Sequence, residues 1–148
     1  MKLKLFKYNQ KGFTLIELLI VIAIIGILSS VVLTSVGSAR TQAFDTKVKG
    51  QLSNIRSAAE IYFSSRYNYG TSTYSCTGGM FADTASGLSA LSISGNYPVG
   101  ENAIICNSNG TAYAVSDNLL ASTTFWCVDS YGASKQESTS LGSSTVCS

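Results

Sequence analysis

The chain contains no histidine. The commonest general base and the commonest metal ligand are therefore missing. Only 12% of its 148 residues are charged, and Pro98 is the single proline. That charge share is low for an ordinary soluble chain. The four cysteines, Cys76, Cys106, Cys127 and Cys147, form no C-x-x-C pair, which argues against a zinc site. No nucleophile–base pair, phosphate loop or metal-ligand set is present, so the sequence reads as neither an enzyme nor a cofactor or metal carrier. No basic face of the kind that binds nucleic acid is present either.

What is there is unevenly distributed. Hydrophobic residues make up 45% of the chain, and the excess lies in residues 13–36, which carry one charge, Glu17. The C-terminal half is rich in Ser, Thr, Gly, Asn and Tyr. A membrane-compatible segment is thus joined to a polar domain. Lys2, Lys4, Lys7 and Lys11 lie in the first twelve residues, and without them six basic residues face eight acidic ones, a side-chain sum of −2. Residues 1–12 are a cytoplasmic-side flank by the positive-inside rule. As a helix, residues 13–36 would span about 36 Å, enough to cross a bilayer. An ordinary secretory signal would be cut after this apolar run, where Ser35-Val36-Gly37 and Gly37-Ser38-Ala39 offer small-x-small sites.

The helical pattern continues. Phe44, Val48, Leu52, Ile55, Ala59 and Tyr62 recur every three or four residues, with Arg40, Asp45, Lys47, Lys49, Arg56 and Glu60 on the solvated face between them. One helix is predicted over about residues 13–66, roughly 80 Å long. Its second half must bury its stripe against a domain. Residues 67–100 read as loop, beginning with Asn68–Thr73. Strands are predicted at Ala103–Cys106, Thr111–Ser116, with Tyr113 and Val115 on one face, and Thr123–Val128, with a turn at Asn107–Gly110. The expected fold is α+β: a long helix packed on a small antiparallel sheet of three or four strands. The Ser/Thr-rich tail from Ser134 would fray unless Cys147 ties it down. Disulfides suit an exported domain. Of the three possible pairings, Cys76–Cys106 with Cys127–Cys147 is favoured because each closes a modest local loop. Asn109-Gly110-Thr111 matches a glycosylation sequon, though Asn-Gly also suits a hairpin turn. Asp117 and Asp129 are the carboxylates that could help hold calcium.

Residues 11–28, KGFTLIELLIVIAIIGIL, closely resemble the signal of type IV pilins and the related pseudopilins of type II secretion. The resemblance implies cleavage between Gly12 and Phe13 by a prepilin peptidase, which N-methylates Phe13. It implies three regions: a removed leader (1–12), a membrane and filament-core helix (13–36) and a globular domain (37–148). It also implies that Glu17 meets the N-terminus of a neighbouring subunit. The physical reading agrees. Glycine before the cut leaves the backbone open to a protease cleft, and a carboxylate inside an apolar helix is usually paired and functional. Outside the membrane, the apolar surface would drive packing of identical helices into an open filament.

The expected partners are identical or related subunits, the peptidase, an inner-membrane assembly platform and, before assembly, lipid. The expected location is the bacterial cytoplasmic membrane as a single-pass precursor, then an extracellular pilus or a periplasmic pseudopilus. The expected function is a structural pilus subunit, with a pseudopilin or a low-abundance minor pilin as alternatives. The Cys127–Cys147 loop resembles the disulfide-bounded region of pilins. One departure stands out: Thr34 occupies the position where many members carry proline.

Overall fold

A computed structural model describes residues 12–97 and 104–148. The basic leader up to Lys11, Pro98 and the first residue of the expected Ala103–Cys106 strand lie outside the described residues. The chain divides into two compact units at Gly37/Ser38. The fold is α+β: helix α1 (Leu15–Arg66), then a five-stranded antiparallel sheet.

Helix α1 starts at Leu15, two residues later than the periodicity predicts, because Thr14 caps it. The Thr14 carbonyl accepts the first intrahelical bond, from the Leu18 N–H at 3.3 Å. The helix ends where Tyr67 takes a left-handed conformation (φ 56°) and Asn68 Nδ2 donates to the Arg66 carbonyl at 2.8 Å. In the first unit the large apolar side chains from Leu15 to Val36 are exposed. In the second unit Val48, Leu52, Ile55, Ala59 and Tyr62 are buried, as their spacing requires. Full burial of each large aliphatic contributes about 1.5–3 kcal/mol.

The strands are β1 (Tyr69–Thr73), β2 (Ile105–Gly110), β3 (Tyr113–Asn118), β4 (Phe125–Asp129) and β5 (Ser134–Glu137), paired in chain order. Between β1 and β2 the chain forms 3₁₀ turns at Gly79–Ala82 and Ser94–Asn96 and a short helix α2 (Leu88–Leu91). Tyr113, Val115 and Val128 share one core with the buried stripe of α1, Met80, Phe81 and Leu88. Ala114, Cys127, Leu141 and Cys147 form a second, smaller core on the opposite face of the sheet.

Three expectations need correction. Residues 69–73 are a strand, not loop. The Tyr69 ring lies 4.8 Å from Phe63 and 4.9 Å from Tyr113, and its hydroxyl donates to Glu60 Oε1 at 3.1 Å, so aromatic packing overrides the loop-like composition. The tail contributes a fifth strand, β5, with Lys135 and Gln136 on a polar edge. Asn107 and Ser108 belong to β2, and the turn is Asn109–Ala112, closed by the Asn109 N–H donating to the Ala112 carbonyl at 3.0 Å. Gly110 has φ 86°, and a Cβ there would lie 3.0 Å from the Gly70 carbonyl oxygen. Both backbone conformation and close approach therefore demand glycine.

Candidate functional site

The site begins at the start of α1. Nothing lies within 4 Å of where a Gly12 side chain would begin, and the Phe13 ring is exposed. The peptide between them is sterically open. Glu17 reaches back to the residue that starts the helix. Its Oε2 accepts the Thr14 hydroxyl at 2.6 Å and the Thr14 N–H at 2.9 Å, while the Glu17 N–H donates to Thr14 Oγ1 at 3.2 Å. This reciprocal arrangement is a capping box, legible in the sequence as Thr-x-x-Glu. Sequence reasoning treated Glu17 alone and passed over Thr14.

The box changes what Glu17 can do. One oxygen already satisfies two donors of its own chain, which lowers the cost of a carboxylate on an otherwise apolar helix. Among the described residues no hydrogen-bond donor meets the other oxygen. Around it, Leu15, Ile16, Leu18 and Leu19 are all exposed. The described residues contain one helix long and apolar enough to cross a membrane, and its most apolar window is wholly unburied.

The remaining predicted residues lie in the second unit. Cys76 is bonded to Cys106, and Cys127 to Cys147. The C-terminal tail lies over the outer face of the sheet. Asn107 Nδ2 donates to the Gly142 carbonyl at 2.9 Å and the Ser144 carbonyl at 2.7 Å, and the Cys147 N–H donates to Asp129 Oδ2 at 3.0 Å. Asp129 Oδ1 also accepts the Tyr131 and Ala133 N–H groups at 3.0 and 2.9 Å. Asp117 and Asp129 do not converge on a common ion: β3–β4 pairing sets them on opposite faces of the sheet. Cys127, Cys147 and Glu137 bring their polar atoms within 4.8 Å of one another, but the two sulfurs are bonded to each other and cannot serve as thiolate ligands. In the sequon, Asn109 Oδ1 accepts from the Thr111 N–H, the Thr111 hydroxyl and the Ala112 N–H, so its side chain shapes the turn.

Asp45, assigned to the solvated face by periodicity, is buried. Its Oδ1 accepts the Leu120 N–H at 2.6 Å, and its Oδ2 accepts the Ala121 N–H at 3.2 Å. Helix α1 is thus pinned to the β3–β4 loop by a residue 75 positions away in sequence. No short-range signal announces such a pairing.

Residues 7–33 match the family described as the prokaryotic N-terminal methylation motif. In its N-terminal segment the chain is similar to type IV pilins and to a type II secretion system core protein. Over 54 residues, 36% of this chain, it is 52% identical to the type IV wide pilus major component PilA4 of Thermus thermophilus, of which it covers 41%. Over 61 residues, 41% of this chain, it is 40% identical to the type II secretion system core protein G of Pseudomonas aeruginosa, of which it covers 43%. Over 51 residues, 34% of this chain, it is 47% identical to the type IV major alpha-pilin of Moraxella bovis, of which it covers 32%. The chain therefore spans less than half the length of these curated relatives. No solved structure matches the chain. The methylation motif (7–33) covers the open Gly12–Phe13 peptide, the capping box and much of the exposed apolar run.

Proposed function

We propose that the chain is the precursor of a structural subunit of a type IV pilus, with no catalytic role of its own. A prepilin peptidase cuts between Gly12 and Phe13 and methylates the new amine. Residues 13–36 hold the subunit in the cytoplasmic membrane and later pack in the filament core, while residues 37–148 form the globular domain. The observation that carries this reading is the pairing of an N-terminal methylation motif with a long helical surface that finds no partner among the described residues of its own unit. Transfer of that surface from lipid to the helices of identical subunits keeps it out of water. The cut creates the cation that the free Glu17 oxygen can take: the ammonium of Phe13 on a neighbouring subunit. Two opposite charges meeting in an apolar layer set the register between subunits. The assembly platform and lipid complete the set of partners.

The similarity to the secretion core protein G favours a second reading, a pseudopilin of a periplasmic fibre. One experiment separates the two. Filaments sheared from the cell surface are analysed by intact mass and N-terminal sequencing. A pilus subunit is an abundant chain beginning at methylated Phe13. A chain absent from sheared filaments, whose deletion stops protein secretion, is the pseudopilin. Processing at any other bond overturns the cleavage assignment, and wild-type assembly of Glu17→Ala overturns the pairing.

A further inference from the structure

The two disulfides sit in different electrostatic surroundings. Among the described residues, only Cys127–Cys147 has a carboxylate oxygen, from Glu137, within 4.8 Å of both sulfurs. The placement follows from the sheet. In the β4–β5 register Cys127 faces Lys135 and Phe125 faces Glu137, so Glu137 and Cys127 share the outer face that the tail covers. The Glu137 side chain is only 4% exposed, and neither of its oxygens meets a hydrogen-bond donor. The nearest cation, Lys135 Nζ, stands 4.0 Å from Oε1 and is shared with the Ser148 carbonyl. A buried carboxylate with so little compensation is costly.

We propose that Glu137 guards the Cys127–Cys147 bond against reduction by thiols. Reduction begins when a thiolate attacks one of the two sulfurs. A bond forms from the reductant sulfur to the attacked cysteine, the original S–S bond breaks, and the electron pair leaves on the other cysteine as a thiolate. The second thiol of a dithiol reductant, once deprotonated, then attacks the first reductant sulfur and expels the bound cysteine as a thiolate; both cysteine thiolates take up protons, leaving the reductant as its own disulfide and the protein as a dithiol. Negative charge is spread over three sulfurs in the transition state. The carboxylate repels both the incoming thiolate and the thiolate being expelled, in a site where screening by water is weak. Lys135 moderates this repulsion from the edge of the same cleft. Among the described residues Cys76–Cys106 has no such neighbour, and it serves as an internal reference.

The test uses the full chain in detergent, with each disulfide followed by alkylation and mass spectrometry. Two reductants are compared: dithiothreitol, which attacks as a thiolate, and tris(hydroxypropyl)phosphine, which is neutral. Glu137→Gln should speed cleavage of Cys127–Cys147 by dithiothreitol roughly tenfold. It should change the phosphine rate by less than about twofold and leave Cys76–Cys106 unaffected. An unchanged dithiothreitol rate overturns the proposal, and so does equal acceleration by both reductants, which would mean that the tail had merely loosened. Lys135→Gln provides an independent arm in which Glu137 stays in place. It should slow the thiolate reaction several-fold, and acceleration there overturns the proposal.

Discussion

Helix α1 is apolar along two different stretches and uses them in different ways. In its second half Leu52 and Ile55 are 0% exposed, whereas in its first half Ile22 is 60% and Leu33 is 76% exposed. Similar side chains on one continuous helix are thus satisfied in one place by the chain's own sheet and left open in the other. The sequence difference is the polar residues. From Arg40 onward charges confine the apolar residues to a stripe, and a stripe can be buried by one sheet. From Phe13 to Val36 apolar residues surround the helix, and such a surface needs lipid or several other helices. One surface is buried by the chain's own sheet, and the other is left exposed by it.

The sharpest way to break this comparison is truncation of equivalent side chains in each half. Leu52→Ala should lower the stability of the globular unit by about 3 kcal/mol, read from thermal unfolding of the full chain in detergent. Ile22→Ala should leave that unfolding unchanged and instead reduce the yield of sheared filaments. Equal effects on unfolding would remove the distinction.

The next effect concerns a flaw inside the self-satisfied half. Burial pushes the Asp117 carboxyl up to about 6, opposed in part by the N–H of Asn118. The folded state therefore holds this proton more tightly than the unfolded chain. Stability falls as pH rises from about 4 to 6 and stays lower above that window. Asp117→Asn should flatten the slope and raise stability at pH 7 by about 2 kcal/mol. An unaltered pH profile would show that Asp117 is not the group responsible.

Two carboxylates of α1 sharpen the comparison further: Asp45 accepts N–H groups of the β3–β4 loop, whereas Glu17 accepts the N–H of Thr14 at its own first turn. Asp45→Ala should destabilise the globular unit by about 1–2 kcal/mol, because it leaves the Leu120 and Ala121 N–H groups unpaired. Amide exchange at those two positions would show it directly. Thr14→Val should have the smallest effect on the isolated subunit, about 1 kcal/mol at the first turn, through loss of the cap. Faster amide exchange confined to residues 15–18 would mark it, with the globular unit untouched.

Periodicity made the helix and its buried stripe legible, because one repeating spacing decides both. Strands β3 and β4 were legible because Tyr113, Val115, Trp126 and Val128 lie in runs of strong β-formers. Strand β1 was not, since Tyr69 packs edge-on against Tyr113, far along the chain, as well as against nearby Phe63. Nor was Asp45, whose partners lie beyond any local pattern. At the candidate site, Gly12, Phe13 and Glu17 stood out by their order along the chain. Thr14, three residues before Glu17, is legible as the first member of a Thr-x-x-Glu capping signal.

The order of the sheet, β1 through β5 without a crossover, has a kinetic consequence. Each strand pairs with the one made just before it, so three of the four pairings form across connections short enough to close at little entropic cost. Such a meander needs few distant contacts to begin folding, which favours rapid folding for a sheet of this size. The exception is the long excursion between β1 and β2, bridged by Cys76–Cys106. Capture of β1 is therefore the slow step of the sheet, and closure of that disulfide is the event that makes it permanent.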